Sequence, residues 1–307
     1  GECTMIGGMP AAVCPAPCHG ILPMKLVRYG NPGREKPGML DAEGRLRDLS
    51  AAVADIDAAV MSRHGLRQLA ALDPERLPLV DGSPRYGTPC SQVGKMICVG
   101  LNYADHAAES GARVPEQPVL FMKAPSAIIG PNDDVILPRG SVKTDWEVEL
   151  GIVIGDVARD VSVDHALGHV AGYTVVNDLS EREFQLEHGG QWVKGKSCDT
   201  FGPIGPWLVT ADEVADPQNL ALWLEVNGHR YQDASTRTMA FGVAHLVSYI
   251  RRYMTLLPGD VISSGTPAGV GLGLKPPTYL RAGDVIELGV EGLGQQRQRV
   301  LAHPADR

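Results

Sequence analysis

Apolar residues in this chain fall in short runs broken by Gly, Pro, Asn and Asp, a pattern of many strands joined by turns. Lys25–Tyr29, Met96–Gly100 and Val119–Lys123 each read as a strand, and 135–138 as another. Residues 145–155 are rich in β-branched and apolar side chains, and 170–178 form a continuous apolar run that implies burial on both faces. The stretch 220–232 alternates and contains Asn227-Gly228, the strongest hairpin signal in the chain. Asp260 and Asp284 each precede a Val-Ile strand, so the chain closes in an antiparallel-looking end.

Helical spacing is confined to a few places. Val53, Ile56, Val60, Leu66, Leu69 and Leu72 keep a rough helical period, interrupted at His64 and Gly65, behind a cap at Asp48 or Ser50. Asp105 is expected to cap a short helix that ends before Gly111 and Pro115. Thr238 is expected to cap a longer one, with Met239, Val243, Leu246, Val247 and Ile250 on one side and His245 as a packing residue. The prediction is an α+β, strand-rich fold, with a small N-terminal α+β domain over 24–90 and a larger domain over 91–303. Pro74, Pro78, Pro84 and Pro89 mark the boundary.

Composition narrows the function classes. The 36 Gly and 23 Pro against 4 Phe and 4 Trp suit strands and turns better than a helical bundle. A net charge of -8 with no Lys/Arg cluster argues against a nucleic-acid partner, and no apolar run is long enough to span a membrane. Residues 1–23 show no period and no secretory pattern, so they read as a flexible extension or an appended remnant. Within them Cys14-x-x-x-Cys18-His19 has spacing that could take a stray metal. Cys90, Cys98 and Cys198 have no disulfide-framework spacing, which fits a reduced, cytoplasmic protein.

The chemistry gathers in the second half. In a strand, Glu147 and Glu149 project from one face, where two carboxylates repel and resist burial unless a cation or proton neutralises them. Asp178, at the end of the 170–178 run, could close the cluster. Three hard oxygen donors favour Mg²⁺, Mn²⁺ or Ca²⁺ over zinc, although a solvated strand face also accounts for Glu-x-Glu alone. His106 and Glu109 sit one helical turn apart, as a general base with its orienting carboxylate would, and as an exposed surface pair would. Arg182 and Gln185 are likewise one turn apart, and Lys196 is a candidate cation. The glycine-rich loop at 265–271 carries Thr266 and matches no phosphate-binding fingerprint; it reads as a loop bringing amides and a hydroxyl to a carboxylate, or as a structural turn.

Five segments in order carry a family resemblance: Gly100-Leu-Asn-Tyr-Ala-Asp-His-Ala-Ala-Glu109, Asp145-Trp-Glu-Val-Glu-Leu-Gly151, Asn177-Asp-Leu-Ser-Glu-Arg182, Gly195-Lys-Ser-Cys-Asp-Thr-Phe-Gly-Pro203 and Ser264-Gly-Thr-Pro-Ala-Gly-Val-Gly271. Over roughly 90–302 the chain resembles the fumarylacetoacetate hydrolase superfamily, in its short bacterial type. The resemblance implies a mixed β-sandwich or roll, a homodimer, and Mg²⁺ or Mn²⁺ on Glu147, Glu149 and Asp178. It implies water activation by His106 with Glu109, and substrate contacts from Lys196 and Thr266, with Arg182 and Gln185 in reach. The activity it implies is hydrolysis of a C–C bond in a 2-oxo acid: an acylpyruvate or a 2,4-dioxo-3-deoxy sugar acid. Isomerisation of a hydroxy-dienoate, decarboxylation of oxaloacetate and ureidoglycolate cleavage are enzymatic alternatives on the same site. A catalytically silent metal-binding scaffold is the non-enzymatic one.

Overall fold

The computed structural model describes residues 24–306 of the chain, so the expected extension at 1–23, with Cys14, Cys18 and His19, lies outside the described residues. Two sheets dominate. The larger has ten strands in the order Leu46–Asp48, Lys36–Leu40, Lys25–Tyr29, Gly202–Thr210, Val170–Asn177, Val148–Ile154, Val261–Ser263, Met96–Gly100 and Val119–Lys123, with Ile128–Ile129 beside Gly202–Thr210. The smaller runs His229–Ser235, Ala221–Val226, Val285–Val290, Gly294–Leu301 and Val135–Ile136. Its first four strands are antiparallel, as the sequence suggests, and only the short edge strand Val135–Ile136 joins in parallel. This is the strand-rich α+β class expected of the chain.

Alternation along Val148–Ile154 decides which side chains meet which layer. Val148, Leu150, Ile152 and Ile154 pack into one core with Leu222, Leu224, Ile286 and Leu288 of the smaller sheet. Val153 packs on the opposite face, in a second core with Met61, Leu66, Leu69, Met96 and Cys98. Glu149 shares the parity of Val153, so it points away from the inter-sheet core. Residues 24–90, expected as a small domain, place their strands in the larger sheet, with Leu26 opposite Leu208 in the pairing of Lys25–Tyr29 with Gly202–Thr210.

Several helix starts differ from the expectation. Asp48 ends a strand and its carboxylate accepts from Ser50 N–H at 2.7 Å, a local turn that competes with helix initiation. The helices are Ala58–Met61 and Arg63–Ala70, capped by Asp57 on Val60 N–H at 3.0 Å and by Ser62 on Gly65 N–H at 3.1 Å. The break thus falls at Ser62, before His64 and Gly65. Thr238 sits in the single turn Thr236–Thr238, and the helix expected from it begins only at Val243, after Gly242. That helix, Val243–Ile250, buries Val243, Leu246, Val247 and Ile250 and leaves His245 exposed, stacked on Phe241 and Tyr249. The Asn227-Gly228 hairpin is present, with φ of 52° and 78°, the doubly left-handed turn that this dipeptide favours.

Candidate active site

Antiparallel register builds the carboxylate cluster. Asn177 pairs with Val148, so the next residue on each strand brings Asp178 beside Glu147, and Asp178 N–H donates to Glu147 O at 2.9 Å. Glu147, Glu149 and Asp178 are all buried, and one oxygen from each lies within 4.8 Å of the other two. Cis donors around an octahedral ion with ~2.1 Å bonds stand about 3 Å apart and trans donors about 4 Å, so this spacing accommodates a small divalent ion. The donor set is all hard oxygen. The three residues therefore fit a divalent cation of the Mg²⁺ or Mn²⁺ kind.

Buried cations hold the cluster together. Lys196 Nζ lies 2.7 Å from Glu147 Oε2 and 2.9 Å from Asp178 Oδ2, and Lys123 Nζ lies 2.5 Å from Asp178 Oδ1. Arg182 Nη2 makes an ion contact of 2.7 Å with Glu147 Oε1. Burial alone would raise the Glu147 pKa, yet Lys196 and Arg182 outweigh it and hold this carboxyl well below the usual range. Glu149 behaves oppositely. Burial together with the charges of Asp178 and Glu147 pushes it well up, against the opposing pull of Lys196 and its hydrogen bond from Ser263. Ser263 Oγ donates to Glu149 Oε2 at 2.5 Å, and Gly265 N–H donates to the same oxygen at 2.8 Å, which leaves Oε1 for the cluster.

His106 and Glu109 lie on the helix Ala104–Glu109, one turn apart as expected, with His106 Nδ1 2.9 Å from Glu109 Oε1. Beside an ionised carboxylate Nδ1 carries the proton, so Nε2 keeps its lone pair. The expected cap differs: Tyr103 precedes the helix and Asp105 lies in its first turn, accepting from its neighbour His106 N–H at 2.8 Å. His106 is buried, and it shares a cavity of about 200 Å³ with Glu147, Glu149, Arg182, Gln185, Lys196 and Thr266.

The glycine-rich loop spends its amides on the protein's own carboxylates. Gly269 N–H reaches Glu109 at 2.9 Å, and Gly271 and Leu272 N–H reach Asp145 at 2.7 and 2.9 Å. Gly269 has a φ of 103°, and a Cβ there would stand 1.9 Å from Tyr231 O, so only glycine allows the approach. Thr266 lines the cavity, but its hydroxyl donates to Val148 O at 2.9 Å and accepts from Gln232 at 2.8 Å. Arg182 is similarly committed, through Nε to Asp145 at 2.8 Å and through Nη1 to Gln185 Oε1 at 3.0 Å. Lys123, Asp145 and Ser263 carry no role in the sequence pattern and gain one only in the fold. A lysine closing an apolar strand was the available signal for the first, since a buried ammonium needs a carboxylate partner.

Residues 95–301 match the family described as fumarylacetoacetate (FAA) hydrolase C-terminal. The chain belongs to the fumarylacetoacetate hydrolase family. A family protein of Burkholderia multivorans, named provisionally as a hydrolase, is 64% identical over 280 residues, 91% of this chain and 99% of the relative. The fumarylacetoacetate hydrolase of Exiguobacterium antarcticum superposes with a TM-score of 0.82 at 39% identity, covering 91% and 100% of the two chains. A 2-hydroxyhepta-2,4-diene-1,7-dioate isomerase from Mycobacterium marinum gives 0.70 at 33% identity over 92% and 99%. The maleylpyruvate hydrolase of Sphingobium, solved with Mn²⁺ and pyruvate, gives 0.76 at 28% identity over 91% and 99%. Family members thus act on small molecules, as hydrolases and as isomerases. No helix among the described residues is long and apolar enough to cross a membrane.

Proposed function

We propose that this protein is a divalent-metal-dependent hydrolase that cleaves the C3–C4 bond of a 2,4-dioxo acid, an acylpyruvate or a 2,4-dioxo-3-deoxy sugar acid. One observation carries the reading: His106, held by Glu109, lines the same cavity as Glu147 and Glu149, and Lys196 in that lining bridges Glu147 to Asp178. Glu147, Glu149 and Asp178 would hold Mg²⁺ or Mn²⁺, which supplies Lewis acidity to the oxygens of a 2-oxo acid.

The chain's own groups do the rest. His106 Nε2 takes a proton from water while Glu109 holds the Nδ1 proton and steadies the imidazolium that forms. The hydroxide equivalent adds to C4, the C3–C4 bond breaks, and its electron pair stays with C3. The proton held by His106 then returns to C3, giving pyruvate and a carboxylic acid with all atoms accounted for. Lys196, tied to Glu147 and Asp178, supplies preformed positive charge where negative charge develops.

A second reading, isomerisation of a hydroxy-dienoate, is favoured by the likeness to the M. marinum isomerase. The same histidine would then carry a proton between two carbons without water addition. Both a heptadiene-1,7-dioate and maleylpyruvate carry two carboxylates. Steady-state kinetics of Glu109→Gln with Mg²⁺ and acetylpyruvate test the hydrolase reading. The expected result is a kcat lowered by about 10²–10⁴-fold, with Mn²⁺ affinity by calorimetry close to wild type. A near-wild-type kcat would remove the pair from the mechanism.

A further inference from the structure

The active-site cavity is charged at its depth and apolar toward its mouth. Glu147, Glu149, Arg182 and Lys196 are all buried, whereas Leu101, Phe121, Trp192 and Leu272 are half-buried and Leu186 is exposed. Phe121 and Trp192 meet edge to face with ring centroids 5.3 Å apart. Trp192 is seated against Gly100, where a Cβ would stand 2.5 Å from the indole Cζ3. The aromatic pair is therefore a built wall. Phe121 also faces Lys196, whose Nζ lies 5.1 Å from the ring centroid.

Every positively chargeable side chain among the described residues lining this cavity is already partnered. Lys196 is held by Glu147 and Asp178, Arg182 by Asp145, Glu147 and Gln185, and His106 by Glu109. Lys194, on the same turn as Trp192, is directed to His188 O at 2.6 Å. A distal carboxylate placed against the Trp192 side of the wall, away from Lys196, would lose water and find no unpartnered counter-charge, a costly exchange. An alkyl group there would gain apolar contact instead.

We propose that this site selects 2-oxo acids with a single carboxylate, whose distal end is an uncharged group that sets an alkyl carbon against the aromatic wall, and that Phe121 and Trp192 are its specificity determinants. The inference rests on the proposed function only in placing the 2-oxo acid head at the carboxylate cluster. The cavity of about 200 Å³ opens past Leu186, so the wall reads the chemical character of the part of the distal group that lies against it.

The test is calorimetric binding to the Mg²⁺-loaded protein of 2-oxovalerate and 2-oxoglutarate, which share a chain length and differ in a methyl or a carboxylate at the far end. The expected result is at least about tenfold tighter binding of 2-oxovalerate, with the preference reduced or inverted in Trp192→Arg, which places a cation at the wall. Equal or tighter binding of 2-oxoglutarate to the wild type overturns the inference and leaves the hydrolase reading standing. An unchanged ratio in Trp192→Arg also overturns it, by removing Trp192 as the determinant. Binding of neither acid, with Mg²⁺ still bound, would overturn the placement of the 2-oxo acid head and the inference with it.

Discussion

Lys123 donates to Asp178 at 2.5 Å, and the two side chains are 0% and 1% exposed. The lysine also donates to Leu179 O at 2.8 Å, so its position is fixed from two sides. A buried carboxylate cluster can exist in this fold before any divalent ion arrives because Lys123, Lys196 and Arg182 already oppose it.

Lys123→Met keeps the volume and removes the charge, leaving Asp178 with Lys196 alone. Breaking a buried pair from one side costs about 3–5 kcal/mol, and urea unfolding of the metal-free protein should show a loss of that order. Saturating Mn²⁺ should recover part of it by replacing the missing positive charge. A loss below about 1 kcal/mol, the range of an exposed pair, would contradict the buried-pair reading.

Gly269→Ala forces a Cβ into contact with Tyr231 O and displaces the amide that holds Glu109. The expected outcome is a fall in kcat of at least about tenfold, with the far-UV circular dichroism of the wild type, because the turn serves the His106–Glu109 pair. Wild-type kcat in a folded Gly269→Ala variant would separate the loop from that pair.

Asp41 provides a pH-dependent contribution far from the cavity. Burial favours its neutral form, but hydrogen bonds from Arg45 N–H and the Arg47 and Arg45 side chains outweigh burial and lower its pKa from the usual 3.8 to about 2. A lowered native pKa means stability that is fully present above the unfolded value and lost as pH falls through the native one. The urea midpoint difference between wild type and Asp41→Asn should therefore be constant above pH ~4 and shrink toward pH ~2. A difference independent of pH across that window would contradict the assignment.

Signals that depend on one or two residues or on local composition are legible in the sequence, and those decided by strand pairing are not. Asn227-Gly228 fixes its own hairpin because the turn conformation depends on two residues alone, and 170–178 announces a doubly buried strand by composition. The caps at Asp57 and Ser62 are not distinguishable in sequence from Asp48 and Ser50, which present the same residue types; strand pairing takes Asp48, and a turn onto its carboxylate takes Ser50, out of a helix. Glu147, Glu149 and Asp178 were legible as a set through spacing and resemblance. The contacts from Gly269 to Glu109 and from Gly271 to Asp145 span 160 and 126 residues, so no window of sequence displays them. Lys123 and Ser263 likewise gain their roles only through strand register.

The most direct measurement is NMR resolution of the products formed from acetylpyruvate with Mg²⁺, run beside a sample treated with EDTA. Equimolar pyruvate and acetate, abolished by the chelator, are the expected products. Release of CO₂, a shifted double bond with the carbon chain intact, or cleavage that survives chelation would contradict metal-dependent C–C hydrolysis.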